Sequence, residues 1–323
     1  MDTNNKLCIF YLTSRHRHYT FETFVNNIAR CKYKNQIVVL LLLHEDDEAF
    51  YKPFLDTNLV QYKILSVPNH NNYLVKLDCG LLYSKTMNIP YVMKHDNDII
   101  IGSCMYDFLF ENMSCLENES NLLLTPTLTS GIPTVEQFTN DFLTEAERLS
   151  LSKKYLEYTF ETNTWGVDYS SLNKFTRLAN TWDPVGFFTA IKQLSHPYKG
   201  IHPVRMYSPA IEELNTYVLK YSNKILSQKP TGIVVDFSNP YFCNSVFIMK
   251  RETYSTVFNR NDLYIDPFDE VPLNLYRSLT NKSIVYTKEG AAIHIIYNSI
   301  PNHTQYEQKF MRYLTDSNNF THL

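Results

Sequence analysis

Apolar residues in the N-terminal third fall into short unbroken runs, separated by stretches with helical spacing. Leu7–Leu12 and Ile37–Leu43 are apolar from end to end, the length and pattern of strands buried on both faces. Between them Phe21, Phe24, Val25 and Ile28 share one face of a helix spanning Thr20–Cys31. Val60–Val67 predicts a third strand. Leu74, Leu77, Leu81 and Leu82 mark the inward face of a helix over Tyr73–Met87. A further strand opens at Tyr91 and runs into Asp96. Apolar strands alternating with amphipathic helices predict a parallel sheet covered on both faces.

The middle third changes period. Val135–Thr159, Pro184–Leu194 and Pro209–Leu226 all read as helices, the last entered through Ser208-Pro209, as at a capped N-terminus. Strand character returns at Gly232–Phe237, Ser245–Met249, Ser283–Thr287 and Ala291–Tyr297. No Pro/Gly/Ser linker brackets the helical block. One domain is therefore expected: a first half over 1–130, a helical insertion over 131–231, and a second half over 232–323 whose strands complete the first sheet.

Composition narrows the class. The chain of 323 residues carries 44% hydrophobic and 20% charged residues, the profile of an ordinary globular protein with a sizeable core. A net charge of −3 gives no global basic footprint for nucleic acid, although a local basic groove stays open. No apolar run approaches the roughly 20 residues of a membrane span. The polar start Met1-Asp-Thr-Asn-Asn-Lys6 has no signal-peptide core, so a cytoplasmic location is expected. Six scattered cysteines without a CxxC pair suit reduced thiols. With 8 glycines and no GxxxxGK[ST], GxGxxG or GxSxG, the common phosphate cradles and the serine elbow have no anchor.

The strongest chemical signal is Tyr91-Val-Met-Lys-His-Asp-Asn-Asp-Ile-Ile-Ile101. Two carboxylates, Asp96 and Asp98, follow a buried strand where ligands bind in open α/β sheets. Hard oxygens at that place suit Mg²⁺ or Mn²⁺ held together with substrate phosphates. A solvated Asp-Asn-Asp turn is the competing reading.

The order of four stretches resembles the GT-A class of nucleotide-sugar glycosyltransferases. They are Thr13-Ser14-Arg15 after the first strand, Asn72-Tyr-Leu-Val-Lys76 opening a helix, His95-Asp-Asn-Asp98 as a DxD motif, and Phe268-Asp269-Glu270 followed later by Ala292-Ile-His294. Asn239-Pro-Tyr241-Phe-Cys-Asn244 resembles the loop lining the sugar and acceptor pocket. The likeness covers roughly 6–130 and 232–300 and leaves the insertion unmatched. It implies a GT-A-like, Rossmann-like, mostly parallel sheet flanked by helices, with metal-dependent transfer of a sugar from a nucleoside-diphosphate sugar, a UDP-sugar by preference, to a hydroxyl.

On that resemblance Asp96, Asp98 and His294 hold Mn²⁺ or Mg²⁺, and Thr13, Arg15, Asp46, Lys76 and Asp96 contact the donor. Glu270 or Asp269 takes the acceptor proton, which favours inversion. Asn239, Tyr241, Asn244 and Trp182 face the acceptor: a glycan, or a hydroxymethylated base in DNA if the chain is virus-encoded. Plainer readings stand beside these. Asp269 and Glu270 also suit a first helical turn, His294 a core histidine, Lys76 a snorkelling side chain, Arg15 a solvated loop, and Trp182 a buried ring. A nucleotidyltransferase of similar sheet and a non-catalytic sugar- or nucleotide-binding module are the alternatives.

Overall fold

The computed structural model describes residues 6–13, 18–43, 48–57, 60–66, 73–131, 134–156, 208–237, 242–258 and 270–295, with the isolated positions 308 and 312. Strand β1 (Leu7–Leu12) leads to helix α1 (His18–Arg30), then β2 (Ile37–Leu43), α2 (Glu48–Thr57), β3 (Tyr62–Ser66), α3 (Tyr73–Thr86) and β4 (Tyr91–Asp96). A short β5 (Ile99–Ile100) precedes α4 (Ser103–Asn112) and β6 (Asn121–Leu128). Helices α5 (Thr134–Phe142), α6 (Glu145–Leu156) and α7 (Ser208–Ser227) follow. The rest is β7 (Gly232–Asp236), β8 (Val246–Lys250), α8 (Arg251–Phe258), α9 (Glu270–Thr280) and β9 (Ser283–His294).

All nine strands join one sheet in the order β3-β2-β1-β4-β8-β6-β9-β5, with β7 also on β9. The pairs β3/β2, β2/β1, β1/β4 and β6/β9 are parallel. The contacts of β8 with β4 and β6, and of β7 and β5 with β9, are antiparallel. Most strands therefore run one way, as the sequence predicts, and β5, β7 and β8 run against them. The late strands do complete the first sheet.

Strand alternation assigns the layers. Ile9, Tyr11 and Met93 face one core with Phe24, Val25 and Ile28 of α1 and Met105, Tyr106 and Leu109 of α4. Cys8, Phe10 and Val92 face the other, against Leu77 and Leu81 of α3, Tyr254 and Val257 of α8, and Leu273 of α9.

Two boundaries differ from the sequence expectation. The helix expected over Val135–Thr159 is broken after Phe142, because Thr144 caps a new one. Its backbone N–H donates to Glu147 Oε2 at 2.8 Å, and Glu147 N–H donates to Thr144 Oγ1 at 3.3 Å, a reciprocal capping box. The strands expected at Ser283–Thr287 and Ala291–Tyr297 are one strand, β9, redirected where Glu289 adopts φ 56° and its register on β6 shifts. The helix expected over Pro184–Leu194 lies outside the described residues.

Candidate functional site

The site is built by the level ends of three parallel strands. Leu12 of β1 pairs with Leu42 of β2 on one side and Asp96 of β4 on the other. Thr13 is one step beyond, buried, its hydroxyl donating to the Leu42 carbonyl at 3.4 Å. After Asp96 the chain turns through buried Asn97 and Asp98, then reverses into β5, whose Ile99 pairs with His294 at the end of β9.

That pairing brings together two residues far apart in sequence. His294 Nε2 lies 3.7 Å from Asp98 Oδ2, and the Ile295 N–H donates to the Asp98 carbonyl at 2.8 Å. His294 is fixed by its backbone N–H, which donates to Thr129 Oγ1 at 3.0 Å, and by Ser245 Oγ, 3.4 Å from Nε2. The imidazole is buried, while the Asp98 side chain keeps 22% of its surface.

Asp96 is held differently. Lys94 lies two residues earlier on the same face of β4, with its side chain only 1% exposed. Its ammonium is 3.2 Å from Asp96 Oδ2 and donates to the Asn244 carbonyl at 2.8 Å. The antiparallel β8 delivers Asn244, and the Asp96 N–H donates to the adjacent Ser245 carbonyl at 3.0 Å. Asn274 of α9 pins the preceding turn, accepting from the Phe242 N–H at 2.9 Å and donating back to its carbonyl at 3.3 Å.

His95 points to the opposite core, where it is fully buried against Tyr11, Phe24 and Tyr106. Its Nδ1 is 2.9 Å from the Asp96 carbonyl and its Nε2 2.8 Å from the Tyr106 hydroxyl. Burial pushes its pKa down to about 4, against the pull of the Asp96 carbonyl. A neutral ring donating from Nδ1 and accepting at Nε2 satisfies both partners. His95 thus anchors the backbone of the aspartate turn from the far side of the sheet.

Two donors on one small divalent ion at about 2.1 Å stand roughly 3 Å apart when adjacent and 4 Å when opposite. The 3.7 Å between Asp98 Oδ2 and His294 Nε2 lies between those two spacings, so a small side-chain movement would let the pair share a divalent cation. Among the described residues no group of three or more His, Cys, Asp or Glu side chains is gathered closely enough to hold a metal. A pair completed by phosphate oxygens and water suits Mg²⁺ or Mn²⁺, with the imidazole favouring Mn²⁺.

The other residues singled out in the sequence are placed less closely. Lys76 is buried in the first turn of α3, which carries the chain from the carboxyl end of β3 back to the start of β4 and so begins at the Asp96 edge. Glu270 opens α9, which leads to the start of β9, so its backbone also lies at this edge. Asn244 meets the site through its carbonyl. Arg15, Asp46, Trp182, Asn239, Tyr241 and Asp269 lie outside the described residues. Lys94 was not singled out, yet its signal is legible: a lone lysine inside an apolar strand, two residues before a carboxylate.

No family model and no curated relative matches the sequence. Solved structures do match. Glucosyl-3-phosphoglycerate synthase from Mycobacterium tuberculosis, in complex with Mn²⁺, uridine diphosphate and phosphoglyceric acid, is 10% identical with a TM-score of 0.40, over 90% of this chain and 70% of that one. A mannosyltransferase from Pyrobaculum calidifontis, in complex with GDP-Man and Mn²⁺, is 10% identical with a TM-score of 0.34, over 67% of this chain and 75% of that one. A cytidylyltransferase from Leptospira borgpetersenii is 15% identical with a TM-score of 0.30, over 38% of this chain; the match spans about half of that protein, 53%. Likeness this distant transfers no activity.

Proposed function

We propose that the chain is a metal-dependent glycosyltransferase that moves a sugar from a nucleoside-diphosphate sugar, a UDP-sugar by preference, to a hydroxyl acceptor. The observation that carries the reading is the meeting of Asp98 and His294, 3.7 Å apart, at the carboxyl edge of the parallel strands and beside Asp96. A structural turn would not need a buried imidazole delivered from the far end of β9.

A bound Mn²⁺ or Mg²⁺ would neutralise the diphosphate and stabilise the charge that builds on the leaving nucleoside diphosphate. Asp98 and His294 would hold it, with Asp96 beside them. Thr13 and Lys76, at the same edge, would face the donor, as would Arg15 and Asp46. Glu270 or Asp269, at the start of α9, would accept the acceptor proton during inversion. Asn239, Tyr241, Asn244 and Trp182 are assigned to the acceptor. A glycan acceptor accords with the net charge of −3, and a DNA acceptor would make activity fall steeply with salt.

The test is thermal stabilisation of the full chain by nucleoside diphosphates and their sugars, with and without Mn²⁺. The expected result is a rise requiring both nucleotide and Mn²⁺, absent in Asp98→Ala. No metal-dependent rise with any nucleotide would sink the reading. Nucleoside triphosphates in the same panel expose a nucleotidyltransferase. Glu270→Ala separates an enzyme, which loses turnover, from a binding module, which has none to lose.

A further inference from the structure

Lys94 is a cation buried beside the very carboxylates expected to attract a second one. Its side chain is 1% exposed, and its ammonium reaches Asp96 Oδ2 at 3.2 Å and the Asn244 carbonyl at 2.8 Å. The carbonyl is not free to follow it elsewhere, because Asn274 of α9 fixes the same loop at Phe242 and the Ser245 carbonyl is bonded to the Asp96 N–H. Away from water, like charges repel far more strongly than they do at the surface. A divalent ion drawn to Asp96 would therefore sit against a positive charge locked in place. Asp98 lies instead next to His294, at 3.7 Å.

We infer that Lys94 is a positioning residue: by neutralising Asp96 in an ion pair whose lysine is buried and whose carboxylate is partly exposed, it opposes cation binding there and directs a divalent cation to Asp98 and His294. This rests on the glycosyltransferase reading for the presence of a cation and adds a determinant which that reading does not contain. The consequence runs against intuition, since removing a residue of the site tightens metal binding.

The experiment is Mn²⁺ binding to the full chain without nucleotide, followed by electron paramagnetic resonance of the free ion. Lys94→Met should bind Mn²⁺ more tightly than the parent, by about fivefold or more, because an internal repulsion is gone. Asp96→Asn in the parent background leaves the Lys94 charge unneutralised and should weaken Mn²⁺ binding, and Lys94→Met/Asp96→Asn should return the affinity close to the parent's, a coupling that a double-mutant cycle isolates. Structural damage lowers affinity and cannot produce the gain. The double variant also guards against misfolding, since replacing both partners of a buried pair is tolerated better than removing one. Lys94→Met binding no tighter than the parent, or Lys94→Met/Asp96→Asn staying as weak as Asp96→Asn alone, overturns the inference and leaves the function standing. If the parent binds no Mn²⁺ alone, the same variants are compared with uridine diphosphate present, and a parent that binds none there either removes both readings.

Discussion

On one flank of β4 the strands Leu7–Leu12 and Ile37–Leu43 are apolar from end to end, and every residue in them is buried. On the other flank, β6 and β9 bury Thr125, Thr127, Thr287 and His294, and β8 is reached through buried Asn244 and Ser245. The first flank is held mainly by hydrophobic burial and backbone ladders, with few side-chain bonds such as Tyr11 hydroxyl to Thr20 Oγ1 at 3.4 Å. The second adds side-chain bonds into backbone across long loops: Thr127 N–H to Thr287 Oγ1, Thr127 Oγ1 to the Thr287 carbonyl, Thr125 Oγ1 to the Val246 carbonyl. β4 belongs to both. Its Tyr91–Met93 half continues the apolar core, and its Lys94–Asp96 half joins the polar network. The candidate site lies at that seam, where a hydrophobic scaffold gives precision and a polar one supplies charge.

Adding one methyl group on each flank should separate the two most strongly. A Cβ on Gly102 would lie 1.8 Å from the Leu226 carbonyl oxygen, where the start of α4 abuts the end of α7. Backbone at both sides leaves no inexpensive movement, so Gly102→Ala should cost about 3 kcal/mol or more in urea unfolding. Gly80 of α3 meets only the edge of the Phe10 ring, at 3.1 Å. There the helix preference of alanine, about 1 kcal/mol, offsets a few tenths of an ångström of ring movement, and Gly80→Ala should stay within about 1 kcal/mol of the parent. Equal losses would mean that α7 is not docked as described.

A smaller, reciprocal pair tests what each flank is made of. Thr287→Val removes a donor to the Gly290 carbonyl and leaves the buried Thr127 N–H without its 2.9 Å acceptor. The expected cost is about 2 kcal/mol. The opposite swap, Val39→Thr in the fully buried β2, inserts a hydroxyl among apolar neighbours and should cost about 1–3 kcal/mol. If either swap is neutral by denaturant midpoint, that flank is not what its contacts indicate.

The same contrast explains what could be read from the chain. The first flank is written in hydrophobic periodicity, so β1, β2, β4 and α3 lie within a residue or two of their expected ends. On the second flank the informative residues are threonines and a histidine, and the threonine bonds into the backbone of other strands span 121 to 165 positions. No local pattern announces such a partner. The elements expected from the sequence do not include β6, whose apolar sign is the short run Leu122-Leu-Leu124, nor α2, α4 and α8. The break between α5 and α6 had a local sign, Thr144 three residues before Glu147, overridden by continuous apolar spacing. At the site Asp96, Asp98 and His294 were legible by residue type. Lys94 carries a local sign, a lone lysine in an apolar strand, but its pairing with Asp96 and Asn244 shows only in the fold.

The least effect is expected where the second flank meets the helices of the middle third. Glu147 of α6 caps its own helix through Thr144 and reaches α7, bonding Lys220 Nζ at 2.6 Å and the Tyr221 hydroxyl at 2.8 Å. Burial alone would raise its pKa, but Lys220, Thr144 and Tyr221 together take it down to about 2. The folded value therefore lies below the unfolded one. The contribution is complete above about pH 4.5 and is lost as the pH falls towards 2. Glu147→Gln should cost on the order of 1 kcal/mol at neutral pH, because an exposed lysine pair is weak and the cap contributes the larger share. Melting curves of parent and variant should converge between pH 4.5 and 2. A constant gap across that range would show that the carboxylate's charge is immaterial and that shape alone joins α6 to α7. The β1 flank offers a control in Asp56, whose pKa is lowered by Lys52 and Tyr62 on the open surface, so that Asp56→Asn should shift the same curves less.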